Sequence, residues 1–89
     1  MYEWDATKAQ ANPAKHGIRF ERVHNFDWDS AIEREDKRED YGELRMIALG
    51  FIGRRLHVLI YTPRGSAIRV ISLRRAGKRE ERAYHEAQA

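Results

Sequence analysis

The segment 44–73, LRMIALGFIGRRLHVLIYTPRGSAIRVISL, decides how the rest of the chain is arranged. Its two apolar runs, LRMIALGFI and RLHVLIYT, are separated only by Gly-Arg, which is short enough for a tight hairpin. Arg-Gly-Ser then predicts a second turn into AIRVISL over 67–73. Strands joined this closely pair antiparallel, so the segment predicts a meander.

Working outward, MYEW reads as a short strand. Asp5 is a candidate N-cap for a helix through ATKAQANPAKH that stops at Gly17. Pro13 lacks a backbone donor and biases Asn12 away from helical angles, so the helix is expected to kink or split there. RFERVHNF predicts a second short helix, with Phe20 and Val23 on one side together with Phe26 or His24. SAIERED is a weak strand leading into the charged loop KREDYGE. At the end, RRAGKREERAYHEAQA reads as helical, with Ala76, Ala83, Tyr84 and Ala87 at helix-compatible spacing. This order predicts an α+β domain: an antiparallel sheet with the N-terminal helices packed on one face, a C-terminal helix, and the other face open to solvent or a partner.

Period-two alternation sorts the strand residues. Leu56, Val58 and Ile60 read as core, with Arg55, His57, Leu59 and Tyr61 on a mixed opposite face. On the last strand Ile68, Val70 and Ser72 point one way and Ala67, Arg69, Ile71 and Leu73 the other. Arg69 therefore need not be buried and stands on the half-open face. Trp4 and Trp28 adjoin element boundaries and read as core anchors.

Composition narrows the function classes. A chain of 89 residues predicts one small domain with an open cleft rather than an enclosed pocket. It has no cysteine, so neither a disulfide nor a thiolate metal site exists, as suits a reducing cytoplasm. The sequence shows no signal peptide and no membrane-length apolar run. Net charge is only +3, but residues 44 to 79 carry Arg45, Arg54, Arg55, Arg64, Arg69, Arg74, Arg75, Lys78 and Arg79 with no Asp or Glu. The acids gather in Glu33, Glu35, Asp36, Glu39, Asp40 and Glu43. Such a one-signed field attracts polyanions, and arginine's planar fork suits phosphate better than lysine does, so nucleic acid is the first partner to consider. Pairing of these arginines with the acidic segment is the plainer alternative.

The run WDATKAQANPAKHGIRFE, with an aromatic residue and Asp followed by a spaced Lys, Asn and Lys-His-Gly, resembles the N-terminal pattern of the BrnT family of bacterial toxins. DKREDYGELR, YTPRG and RVISLRRAGKREERAY resemble that family's later stretches in the right order and extend the match over nearly the whole chain. The resemblance implies a RelE-like fold, a ribonuclease activity that shuts down translation, and neutralisation by a BrnA-type antitoxin.

Metal-free RNA cleavage uses the 2′-hydroxyl as nucleophile, so it needs a proton acceptor and cations for the developing charge. Arginine does not deprotonate, so Arg64, Arg69 and Arg74 are candidates for phosphate positioning and transition-state charge, and the resemblance maps all three onto family motifs. His16 is a candidate base or acid at a helix end, where the dipole would favour its cation; a helix cap without chemistry is the alternative. Tyr61 can stack on a base or donate a proton, or simply pack in the sheet. His57 reads as a partly exposed strand residue outside the motifs. Lys8 and Lys15, seven residues apart, share a helix face and can track a phosphate backbone. Arg75, Lys78 and Arg79 extend the candidate RNA-binding surface. The histidines at 16, 24, 57 and 85 form no ligand pattern, so neither metal nor cofactor is expected. Expected partners are RNA, free or on the ribosome, and the antitoxin. A non-catalytic nucleic-acid-binding module using the same basic face remains the alternative.

Overall fold

The computed structural model describes residues 1–88. Its elements run β1 (Tyr2–Trp4), α1 (Ala6–His16), a 3-10 helix (Phe20–Asn25), β2 (Ile32–Glu35), β3 (Met46–Ile52), β4 (Arg55–Arg64), β5 (Ala67–Arg75) and α2 (Lys78–Gln88). Asp5 caps α1 by accepting from the Lys8 amide at 3.0 Å. Gly17 ends it at φ 73°, a left-handed conformation that a Cβ would disfavour. Pro13 does not split the helix. Proline removes only its own backbone donor, and the chain stays helical to His16, where the Gly17 amide closes the turn by donating to the Pro13 carbonyl at 2.7 Å.

The five strands lie in the order β1-β5-β4-β3-β2. The meander β2–β5 is antiparallel, but the sheet as a whole is mixed, which corrects the antiparallel expectation: β1 pairs parallel with β5, Tyr2 opposite Ile68 and Trp4 opposite Val70. Short turns dictate the direction only of the strands they join. The free edge of β5 is filled by a segment 66 residues away in sequence, whose direction no hairpin constrains.

A bulge alters the alternation as well. Ile60 pairs with Ser72 and Tyr61 with Val70, leaving Ile71 without a partner. Val70 and Leu73 consequently both enter the main core, with Leu59, Tyr61 and Ala48 from the sheet and Phe20, Val23 and Phe26 from the helical segment above it. The face read as mixed is therefore the principal core face. Leu56 and Val58 are buried too, but on the opposite side. There Tyr84 of α2 meets Phe51, the cross-strand partner of Leu56, at 5.5 Å between ring centroids and donates its hydroxyl to the Ser30 carbonyl. The two faces are thus exchanged relative to the sequence reading: the one expected to be half-open carries the main core, and the one read as core is covered in part by α2.

Trp4 packs edge-on against Phe20, and Trp28 against Phe26 and Tyr61 while donating its indole N–H to the Tyr2 hydroxyl, so both tryptophans border the core. The C-terminal helix starts later than expected. Arg74 and Arg75 complete β5 opposite Val58 and His57, and the helix begins after Gly77, whose amide donates to Glu80 at 2.8 Å. Ala89, the end of the predicted helix, lies outside the described residues. Among those residues no helix is long and apolar enough to cross a membrane.

Candidate functional site

Where the short β1 ends, α1 takes over the flank of β5. Asn12, a buried polar residue on the inner side of α1, makes the join: its side-chain amide donates to the Leu73 carbonyl at 2.7 Å and to the Ile18 carbonyl at 2.8 Å. Both amide protons are used, so the helix is fixed in height and rotation against the strand. The clamp opens a groove of about 230 Å³ between the two elements, lined chiefly by Lys8, Lys15, His16, Ile71 and Ser72. Lys8 and Lys15 share the helix face that borders it, as their spacing predicts.

His16 sits at the end of the groove, half-buried. Its pKa lies below the ordinary value, first because the ring is partly desolvated and then because the charges of Lys15 and Arg74 oppose a third cation. This direction is opposite to the one expected from the helix dipole alone. A lowered pKa favours the neutral imidazole, the form that can accept a proton.

Arg74 reaches the same region from β5. Nη1 and Nη2 donate to the two oxygens of Glu80 at 2.8 and 2.6 Å, and Nη1 also reaches the Arg75 carbonyl at 3.3 Å. The carboxylate raises the guanidinium pKa, and Glu80 is lowered in return. Three of five donor hydrogens are occupied, so two remain for an incoming oxyanion.

The other candidates lie apart. Arg69 pairs with Glu3 on β1, and Arg64, near the β4–β5 turn, with Glu43. The plainer alternative of carboxylate pairing is thus realised at all three motif arginines, although only Arg64 finds its partner in the acidic segment 33–43. Tyr61 is buried on the core face and donates to Glu33; burial, followed by that carboxylate, raises its pKa. Arg75 is exposed at the end of β5, and Lys78 and Arg79 are exposed in the first turn of α2. His57 is buried, 4 % exposed, contrary to its reading as a partly exposed residue.

The stretch DKREDYGELR builds a loop. Buried Asp36 accepts the fork of Arg38 at 2.8 and 2.7 Å and the Tyr41 hydroxyl at 3.1 Å, while the Arg45 guanidinium lies 3.8 Å above the Tyr41 ring. Glu43, carried by this loop, receives Thr62 and Arg64. Sequence reasoning missed Asn12 and Ser72 as parts of the groove. The available signal for Asn12 was an amide on the inner face of a helix with no polar partner nearby in sequence.

No individually curated protein matches the chain. A family model does, over residues 4–80, described as the ribonuclease toxin, BrnT, of type II toxin-antitoxin systems. The matched span includes α1, strands β2 to β5, the loop built on Asp36 and the Arg74–Glu80 pair, and it begins at Trp4, the last residue of β1. The chain belongs to the BrnT family of ribonuclease toxins of type II toxin-antitoxin systems.

Proposed function

We propose that this protein is a metal-independent endoribonuclease of RelE-like fold that acts in the cytoplasm, blocks translation by cutting RNA, and is neutralised by a BrnA-type antitoxin. The observation that carries this reading is the convergence of Lys8, Lys15 and His16 in one groove beside Arg74. Family membership supports the ribonuclease and the existence of an antitoxin.

In this mechanism Lys8 and Lys15 hold the non-bridging oxygens of the scissile phosphate. Neutral His16 takes the proton of the 2′-hydroxyl as its oxygen attacks phosphorus. The two free N–H groups of Arg74 meet the charge that develops in the transition state. The leaving 5′ oxygen takes its proton from water at the open mouth of the groove. The lining donors are cations, an imidazole, an amide and a hydroxyl, with no carboxylate to hold a divalent ion. Arg64 and Arg69 serve the fold away from the groove, through Glu43 and Glu3, and Tyr61 belongs to the core.

The test is incubation of purified protein with RNA alone and with ribosomes, with and without EDTA, alongside His16→Ala and Arg74→Ala. Cleavage that survives EDTA and is lost in both variants is the expected result. Dependence on a divalent ion would overturn the mechanism. RNA binding without any cleavage would favour a non-catalytic binding module.

A further inference from the structure

A second basic site lies on the other side of the C-terminal turn of α1. Here His57 on β4, Arg75 on β5, Arg55 at the start of β4, and Arg19 and Arg22 at the 3-10 helix surround a recess of about 340 Å³. The four arginines come from three separate parts of the chain, and no acidic side chain lines the recess.

Two observations distinguish it from an ordinary basic surface. Arg38, Arg64, Arg69 and Arg74 each hold a carboxylate, whereas Arg19, Arg22, Arg55 and Arg75, like the other arginines among the described residues, hold none, and these four are the ones that converge on a single recess. Four unpaired guanidinium groups around one recess repel one another, a cost that an anion between them removes. The second observation is the histidine beneath them. His57 is 4 % exposed and its Nδ1 donates to the Arg55 carbonyl at 2.8 Å, which leaves Nε2 as the free ring nitrogen. Its pKa is lowered, chiefly by burial and then by Arg75, Arg22 and Arg55, so three of the four arginine charges are felt at the ring.

We infer that this recess is a phosphate subsite that holds the RNA backbone beyond the scissile position. The inference rests on the reading of this protein as an RNA-cleaving enzyme. Gly17 and Ile18 line the recess and His16 lines the groove, so the two sites flank consecutive residues of one turn. Arg74 and Arg75, adjacent in β5, serve one site each. A single strand laid around the end of α1 has its reacting phosphate against Lys8, Lys15 and His16 and a neighbouring phosphate among the four arginines. The recess anchors the strand and takes no part in bond breaking.

The test combines Arg22→Ala and Arg55→Ala in one variant. Both side chains are exposed and outside the groove, so the fold is retained, as circular dichroism and thermal melting would verify. A control variant, Lys37→Ala with Arg82→Ala, removes the same charge from exposed positions elsewhere. Binding is read by anisotropy of a labelled 2′-O-methyl RNA, which cannot be cleaved, across a salt series. The expected result is that the magnitude of the slope of log K against log salt falls by about one in the Arg22/Arg55 variant and not in the control. In cleavage, KM rises about tenfold with kcat unchanged. An equal slope in the test and control variants would overturn the proposal, as would a fall in kcat with constant KM. Inorganic phosphate and a 5′-mononucleotide serve as competitors. Tight binding of either by the wild type, with no effect of the Arg22/Arg55 variant on RNA affinity, would reassign the recess to a free phosphate ligand. The binding arm needs no catalysis, so a wild type that binds but does not cut RNA overturns the enzymatic reading while still deciding the subsite.

Discussion

Glu3 and Arg69 are register partners across the parallel pairing of β1 and β5, and they are also an ion pair, with Nη1 3.0 Å from Oε2. The arginine that stands out in the last strand is thus matched to an acid at the opposite end of the chain. Both side chains are partly exposed, so the pair is worth up to about 1 kcal/mol. Arg69→Ala and Glu3→Gln are each expected to lower stability by that amount in urea unfolding and to leave RNA cleavage intact. Loss of cleavage in a folded Arg69→Ala protein, with Glu3→Gln fully active, would place Arg69 at the phosphate instead.

His16 gives a pH signature. Its pKa is below the ordinary histidine value, and as a base it works when neutral. Cleavage should therefore rise with pH through a midpoint below the ordinary histidine value of about 6.5. Lys15→Ala removes one of the opposing charges and moves the midpoint upward, both in kcat/KM and in an NMR titration of the ring. A midpoint that ignores Lys15 would remove His16 from the base role.

The loop on Asp36 predicts acid sensitivity. Chiefly through the side-chain hydrogen bonds from Arg38, the Asp36 carboxyl is held well below the usual carboxylate range. A depressed folded pKa contributes stability that is fully present above the unfolded value near 4 and is lost as pH falls through the folded value. Asp36→Ala should cost roughly 2–3 kcal/mol at pH 7. The gap from wild type should narrow below about pH 4. Denaturant titrations at pH 7 and at two acidic values would check both parts.

Gly50 answers to Phe26. A Cβ built on Gly50 would lie 2.5 Å from Cζ of the Phe26 ring, which is fully in the core. Gly50→Ala should destabilise by about 1–3 kcal/mol, since a rigid ring wedged among Trp28 and its neighbours has little room to yield. Phe26→Leu in the same chain should recover part of that loss, a coupling that a double-mutant cycle in urea would measure.

Some of this was legible locally. The cap at Asp5, the stop at Gly17, the short helix carrying Phe20 and Val23, and the strands of the meander all follow from interactions within a few residues, where propensity and turn chemistry act. The spacing of Lys8 and Lys15 put them on one helix face, and the ordered motifs pointed to the family that the match over residues 4–80 establishes. The motif arginines were visible as residues but not as roles, because a guanidinium looks the same in sequence whether it meets Glu3, Glu80 or a phosphate.

By itself, then, the sequence determined the elements, the family and the excess of positive charge after residue 44. The tertiary structure alone decided that β1 closes the sheet in parallel, that the bulge at Ile71 turns Val70 and Leu73 to one side, and that Asn12 clamps α1 to β5. It also decided which arginines are neutralised and which four remain free around His57. The physical reason is range. Capping, turn formation and alternation are set by neighbours in the chain, whereas the pairing of a free strand edge and the partner of a charge depend on groups that only folding brings within a few ångströms.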